Sequence, residues 1–496
     1  MLLSDLVAKT GISHISGADD RAITSISCDS RRIQPGGLFV ALPGVEQDGH
    51  NYIDTAVEAG ASAVLCREKT QLPDTISHVS AADLRAAYAE CCAHFWTGRG
   101  QMHVAVTGTN GQTSTVEYLR QIWQRLNWSA ASLGTLGART AMQNAPGQLA
   151  GIGTDGLTTP PSETLFSTIN TLSKTGMTHL ALEASSHGIA QDRLASLPIH
   201  VAVFTNLSQD HLDYHDNMDS YFAAKKKLFE TYLMPAGYAV INIDDAWGKI
   251  LADQLADKPI VVVRVGRSVG ADVKILDIQA SGPFLQLELD VFNTKLTYPV
   301  ALAGMFQAEN AVLAATAAHV AGVPLHDAFG ALPNLLPTPG RMQPVHGHPE
   351  KARIVIDYAH TPDALATALK ALRAETQNKL YLVFGCGGDR DKTKRPLMGA
   401  VAAELSDYTI ITDDNPRSEN PSEIRSDILK ACPEAKEISP RDTAIGAAIE
   451  MLKTGDSLMI AGKGHETVQQ IGTETLPFDD AAVARVALQR IGGDDA

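Results

Sequence analysis

Residues 102–126 read MHVAV, then TGTNGQTST, then VEYLRQIWQRL: an apolar run, a glycine loop over 107–115 and an amphipathic stretch, in the order strand, turn, helix. A glycine loop placed there presents backbone N–H groups and the positive end of a helix dipole to an anion, which is how phosphates are cradled. Gly108, Thr109, Asn110, Gly111, Gln112, Thr113 and Ser114 are therefore candidate nucleotide contacts, and a hydroxyl just past the loop suits a Mg2+ that bridges phosphate oxygens. One position departs from the usual pattern. Loops of this kind carry lysine before the Ser/Thr, reaching the β- and γ-phosphates, and here Gln112 stands in that place. A tight strand-to-helix turn without a ligand is the competing reading of the loop alone.

Strand and helix patterns alternate on both sides of the loop. In the middle of the chain VAVTG, THLALEA, HVAVFTN and YAVINID read as strands; towards its end RIVIDYA, KLYLVFG, DYTIIT and DSLMIAG do, with helical patterns such as DALATALKALRAE between them. That alternation predicts α/β architecture with mainly parallel, doubly wound sheets, whose ligands sit at the carboxyl ends of the strands. Glycine and proline punctuation at TGRGQ (97–101) and LPTPGRM (336–342) divides the 496 residues into segments 1–98, 99–338 and 339–496. The first segment, around CDSRRIQPGGLFVALPG, reads as a smaller α/β unit.

A 44% hydrophobic content supports sizeable cores. No apolar run is long enough to cross a bilayer and MLLSDLVAKT is no secretory leader, so a cytoplasmic protein without a membrane partner is expected. Six scattered cysteines lack metal-ligand spacing and read as reduced thiols. The net charge of −15 argues against nucleic acid as a partner, while leaving room for small anions held by local loops.

Further chemistry clusters at the strand ends. LEASSHG puts Glu183 and His187 after one strand, and TNLSQDHLDYH puts Asp210, His211, Asp213 and His215 after another. Singly, each reads as a cap or a hydrogen-bonded structural group; three loops converging with a phosphate-type loop favour a metal–nucleotide site. Lys225, Lys226 and Lys227 read from charge alone as a solvated helix face. In the last segment Arg390, Lys392, Lys394 and Arg395, with Asp414, Asn415 and Arg417, offer arginine forks for carboxylates and an acid for an ammonium, a set suited to an amino acid. Surface charge among turn residues competes with that reading.

From end to end the chain resembles the Mur ligase family. DSRRIQPGGLFVALPG, GTNGQTS, TTP, EASSHG, NLSQDHLDYH, AAK, GRMQPV, DYAHTPDAL, GCGGDRDKTKRPLMG, DNPR and GKGHE occur in the family's order, and DNPR is similar to the form in diaminopimelate-adding members. The resemblance implies three α/β domains: a small N-terminal uridine-nucleotide domain, a central P-loop ATPase-like domain and a C-terminal Rossmann-like domain. It implies ATP-dependent addition of meso-diaminopimelate to UDP-N-acetylmuramoyl-L-alanyl-D-glutamate through an acyl phosphate, as a step of peptidoglycan precursor synthesis, by a monomer.

The family's motifs carry roles onto these positions. Ser30 is expected near the uridine end of the substrate, with Thr158, Thr159, Ser185, Gln191 and Arg193 holding the muramoyl peptide. Glu183 and His211 look like magnesium ligands, Thr113 like the loop hydroxyl on the ATP-bound ion, and Lys225 like a lysine carbamylated by CO2 to give an anion that helps to position the magnesium. Asn310 and Asp357 are expected at the nucleoside of ATP, Arg341 at its phosphates, and Arg390, Asp414, Asn415, Arg417, Gly462 and Glu466 around the diaminopimelate. Domain closure about a hinge near Gly340 is expected to keep water from the acyl phosphate.

Two positions depart from the family pattern: Gln112 for the loop lysine and, more mildly, Gln307 where many relatives have asparagine. Glutamine donates hydrogen bonds but brings no charge, and losing one well-placed donor costs on the order of a hundred- to a thousandfold in rate. The readings that stand are a working ligase whose phosphate cation comes from Arg341 or a neighbouring lysine, a non-catalytic relative that binds the nucleotide-peptide, and a ligase adding lysine. Arg417 speaks against the last, since it suits a second carboxylate that lysine lacks.

Overall fold

The computed structural model describes residues 1–8, 10, 12–16, 20–44, 47–67, 70–140, 156–210, 214–281 and 284–493. Three sheets of five, ten and six strands succeed one another along the chain. The glycine loop belongs to the largest. Strand Met102–Thr107 is almost entirely buried, as a strand covered on both faces must be, and its apolar run is the sequence form that such a position requires. It lies between Ile199–Phe204 and His179–Glu183, parallel to both. Ala130–Gly134, Leu233–Asn242, Val261–Gly266 and Val273–Ser281 extend the parallel part, and Phe284–Val291 and Thr294–Val300 continue one side by antiparallel pairing.

After the loop, helix Gln112–Arg125 starts at Gly111, whose φ of +86° is a left-handed conformation that glycine adopts without strain. Val116, Leu119, Ile122 and Trp123 form its buried face. Helix Met305–Val320 packs beside it, and the alanines at 308, 311, 314, 315 and 318 are small enough to allow close approach. That packing brings Asn310 onto the loop: a Cβ at Gly111 would lie 2.5 Å from Asn310 Oδ1.

In the last sheet Arg353–Asp357, Ser457–Ala461, Leu380–Phe384 and Tyr408–Ile411 are parallel neighbours in that order. The order is not the chain order, so the sheet is doubly wound, and the four loops singled out by sequence leave its carboxyl edge together. Arg441 and Asp480, both fully buried, form a two-pronged pair at 2.7 and 2.8 Å, and Arg441 also donates to the Ala461 carbonyl at that edge. In the first sheet Ile26–Ser27, Leu38–Val40, Ala63–Cys66 and Ser77–Ser80 run parallel, with Ser13–Ser16 antiparallel at one edge.

Candidate active site

Gln112 does not reach out of the loop. Its Nε2 turns back and donates to the Gly108 carbonyl at 2.8 Å, the same oxygen that Lys225 Nζ approaches at 2.6 Å. Lys225, 1% exposed, lies over the Tyr221 ring with Nζ 4.6 Å from its centroid. Burial pulls its ammonium down to about 7, against an upward pull from Asp210, which favours the free amine. Behind it Tyr221, His215, Tyr214 and His187 stack with centroid separations of 4.0–5.8 Å. The two histidines read as strand-end chemistry thus sit within an aromatic cluster.

Glu183 is the hub on the other side of the loop. It is 3% exposed and accepts from Thr113 Oγ1 at 3.0 Å, from the Thr135 backbone at 2.8 Å and from Thr135 Oγ1 at 3.0 Å. Burial raises its carboxyl pKa, while Arg341 and these donors oppose the rise. Arg341 Nη2 donates to Thr113 Oγ1 at 3.2 Å, so a side chain from beyond the second boundary reaches the glycine loop. Asn310 is 6% exposed beside Gly111. Asp357 accepts from the Met342 and Ala359 backbones at 2.7 and 2.8 Å, which ties the chain after Arg341 to a strand end, and burial raises its carboxyl pKa. Gln307 accepts from Tyr118 at 3.0 Å, next to the loop helix.

The peptide-side residues form one network. Thr159 Oγ1 donates to the Glu183 carbonyl at 2.8 Å and accepts from the Ser185 backbone at 2.9 Å; Thr158 meets Thr135 at 3.2 Å. Arg193 donates to the Thr159 carbonyl and, at 2.8 Å, to Gln191. Ser30 lies apart, buried in a short 3-10 turn, but Cys28 just before it donates its backbone N–H to Glu163 at 3.3 Å, and Glu163 also takes Tyr88 Oη at 2.8 Å.

At the carboxyl edge of the last sheet, Arg417 Nη1 donates to the Gly388 carbonyl at 2.7 Å. Asn415 Nδ2 donates to Glu466 at 2.8 Å, and fully buried Lys463 donates to Asn415, Glu466 and the Val468 carbonyl at 3.0, 2.9 and 2.7 Å. Asp414 Oδ2 lies where a Cβ on Gly462, at φ +111°, would sit 2.7 Å away, so glycine is needed there. Arg390 is exposed on its loop. His211 and Asp213 lie outside the described residues, and among the described residues no three His, Cys, Asp or Glu cluster as a metal site.

Three models match in sequence along the chain: the catalytic domain of the Mur ligase family at residues 22–94, the Mur ligase middle domain at 106–318 and the Mur ligase glutamate ligase domain at 340–464. The chain belongs to the Mur ligase family. It is 43% identical over 483 residues, 96% of this chain and 97% of the other, to the protein of Caulobacter vibrioides named UDP-N-acetylmuramoyl-L-alanyl-D-glutamate--2,6-diaminopimelate ligase. The protein of that name from Bradyrhizobium diazoefficiens is 42% identical over 94% of this chain and 95% of its own. A solved structure titled with the same activity superposes with a TM-score of 0.70 at 31% identity, covering 99% of both chains.

Within this Mur ligase the sequence reading passed over Thr135, Glu163, Lys463 and Gln470. Thr135 and Glu163 carried a faint signal, as a hydroxyl after the ASLG strand and a carboxylate just past TTPPS. Lys463 stands inside GKGHE but was not singled out. Gln470 has no motif at all, and its contact with Arg417 exists only in three dimensions.

Proposed function

We propose that this Mur ligase joins meso-diaminopimelate to UDP-N-acetylmuramoyl-L-alanyl-D-glutamate at the expense of ATP. The observation that carries the reading is Arg341 bonded to Thr113: it holds the glycine loop and the carboxyl edge of the last sheet against one cleft, where a phosphorylated carboxylate and an incoming amine can meet. Transfer of the γ-phosphoryl group to the peptide's terminal carboxylate gives an acyl phosphate. The amine then attacks its carbonyl carbon, phosphate leaves, and the amine's proton is lost.

The loop's backbone N–H groups receive the nucleotide phosphates, and Arg341 supplies the cation that Gln112 does not. Thr158, Thr159, Ser185, Gln191 and Arg193 hold the peptide, and the Glu163 contact sets the Ser30 turn for the uridine end. Arg417 takes the second carboxylate of the diamino acid, with Asp414 and Glu466 for its ammonium. The oxygens of Glu183 and Thr113, 3.0 Å apart, fit a hard cation that retains waters and uses few protein ligands, so these two residues would hold Mg2+; His211, expected as a further ligand, lies outside the described residues. Bound Mg2+ would offset the repulsion between phosphate and carboxylate. Lys225, with its free amine and its place beside the loop, accepts CO2 as a carbamate.

The test is ATP-dependent amide formation by the purified protein with the UDP-dipeptide and labelled meso-diaminopimelate, with L-lysine as control. Turnover with diaminopimelate and little with lysine is expected. Absence of turnover together with retained binding of the UDP-dipeptide would replace the ligase with the binding-protein reading. Incubation with labelled bicarbonate should give a carbamate carbon resonance that is missing in Lys225→Met.

A further inference from the structure

Just past GKGHE the chain forms a two-stranded hairpin, Val468–Ile471 with Glu474–Pro477. It belongs to none of the three large sheets, yet it is bonded to DNPR along its length. Gln469 Nε2 donates to the Asp414 carbonyl at 2.6 Å, and the Gln470 N–H donates to Asn415 Oδ1 at 3.0 Å. The Arg417 N–H donates to the Gln470 carbonyl at 3.1 Å, and the Gly472 N–H donates to the Arg417 carbonyl at 2.7 Å. The hairpin thereby clasps Arg417, which stands at a φ of +52°, uncommon for a non-glycine residue.

One side-chain contact completes the clasp. Arg417 Nε donates to Gln470 Oε1 at 3.2 Å while Nη1 donates to Gly388 at 2.7 Å, and the guanidinium lies against Gly387, where a Cβ would come 2.8 Å from Nη1. A planar guanidinium fixed at Nε and Nη1 has no rotation left. Its Nη2 donors, uncommitted among the described residues, are then aimed in one direction, as recognition of a carboxylate requires.

We propose that Gln470 is a positioning residue which sets the diamino acid specificity of this ligase by fixing the orientation of the Arg417 guanidinium. The inference rests on the diaminopimelate reading above. Gln470 is exposed, so its replacement leaves the core intact. In Gln470→Leu the KM for meso-diaminopimelate is expected to rise roughly tenfold, the scale of one hydrogen bond to a charged group. KM for ATP and for the UDP-dipeptide should stay within about twofold, and preference over lysine should fall by the same factor. Gln470→Glu, which keeps an acceptor for Nε, should retain the parent's preference. An unchanged preference in Gln470→Leu, or equal changes in all three KM values, overturns the role of Gln470 while the ligase reading stands. No diaminopimelate turnover in the parent overturns both.

Discussion

Replacing Arg341 by methionine removes the only side-chain cation bonded to the loop hydroxyl of Thr113 among the described residues. With Gln112 neutral and folded back on Gly108, the proposed function assigns to Arg341 the charge compensation that a loop lysine would otherwise share. A unit charge about 4 Å from a phosphate oxygen contributes roughly 4 kcal/mol at an effective dielectric of about 20. Loss of one preorganised donor to a developing anion costs about 2.7–4 kcal/mol in known cases, on the order of a hundred- to a thousandfold in rate. Arg341→Met is therefore expected to lower kcat/KM for ATP by that factor, measured by phosphate release at saturating UDP-dipeptide and diamino acid. Adding Gln112→Lys in the same chain should restore at least about tenfold, because a cation returns to the loop. A single variant within about threefold of the parent, or a double variant with no recovery, would refute the assignment of the missing charge to Arg341.

Glu163→Ala removes a carboxylate that takes Tyr88 Oη at 2.8 Å and the Cys28 backbone at 3.3 Å; a several-fold rise in KM for the UDP-dipeptide is expected, with that for ATP unchanged, read from initial rates. Asp480→Ala leaves Arg441 buried and unpaired, so chemical denaturation should show a loss of about 3–5 kcal/mol in the last domain. Burial holds the His103 imidazole at about 4, against 6.5 for the free group. Between those values the unfolded chain binds the proton and the native chain does not, so stability is expected to fall as pH is lowered from 6.5 to 4, by about 3 kcal/mol; urea midpoints for the parent and His103→Leu should converge at acid pH if this is correct.

The parallel strands were legible because burial on both faces leaves a plain signature: VAVTG, THLALEA and HVAVFTN are apolar runs that end in loop residues, though which strands pair was not written in them. Glycine positions such as Gly111 and Gly462 were legible for a related reason, since their φ values admit little else. Side-chain direction was not legible. From sequence Gln112 was expected to face a phosphate, and in the fold it turns towards Gly108, because a helix N-terminus leaves the carbonyl four residues back within reach of its amide. Asp357 and Asn415 were expected at ligands, and much of their hydrogen-bonding capacity is taken up by Met342, Ala359, Lys463, Gln470 and Glu466. Gln470 and Glu163 act across 53 and 135 residues of chain, which no local pattern encodes.

Gln112 and Lys225 converge on one carbonyl of the loop. Gln112 Nε2 and Lys225 Nζ share the Gly108 oxygen at 2.8 and 2.6 Å, which bounds their separation at 5.4 Å. Arg341 reaches the loop next to Glu183, whose carboxylate offsets its charge. On the proposed reading, a cation delivered from the last domain serves the nucleotide only when that domain is docked. Ser208 also donates to Asp363 at 2.8 Å and the Gly304 N–H to Glu375 at 3.0 Å across the same boundary, so a variant that removes these contacts together with Arg341 is expected to lose ATP use and diamino acid use together.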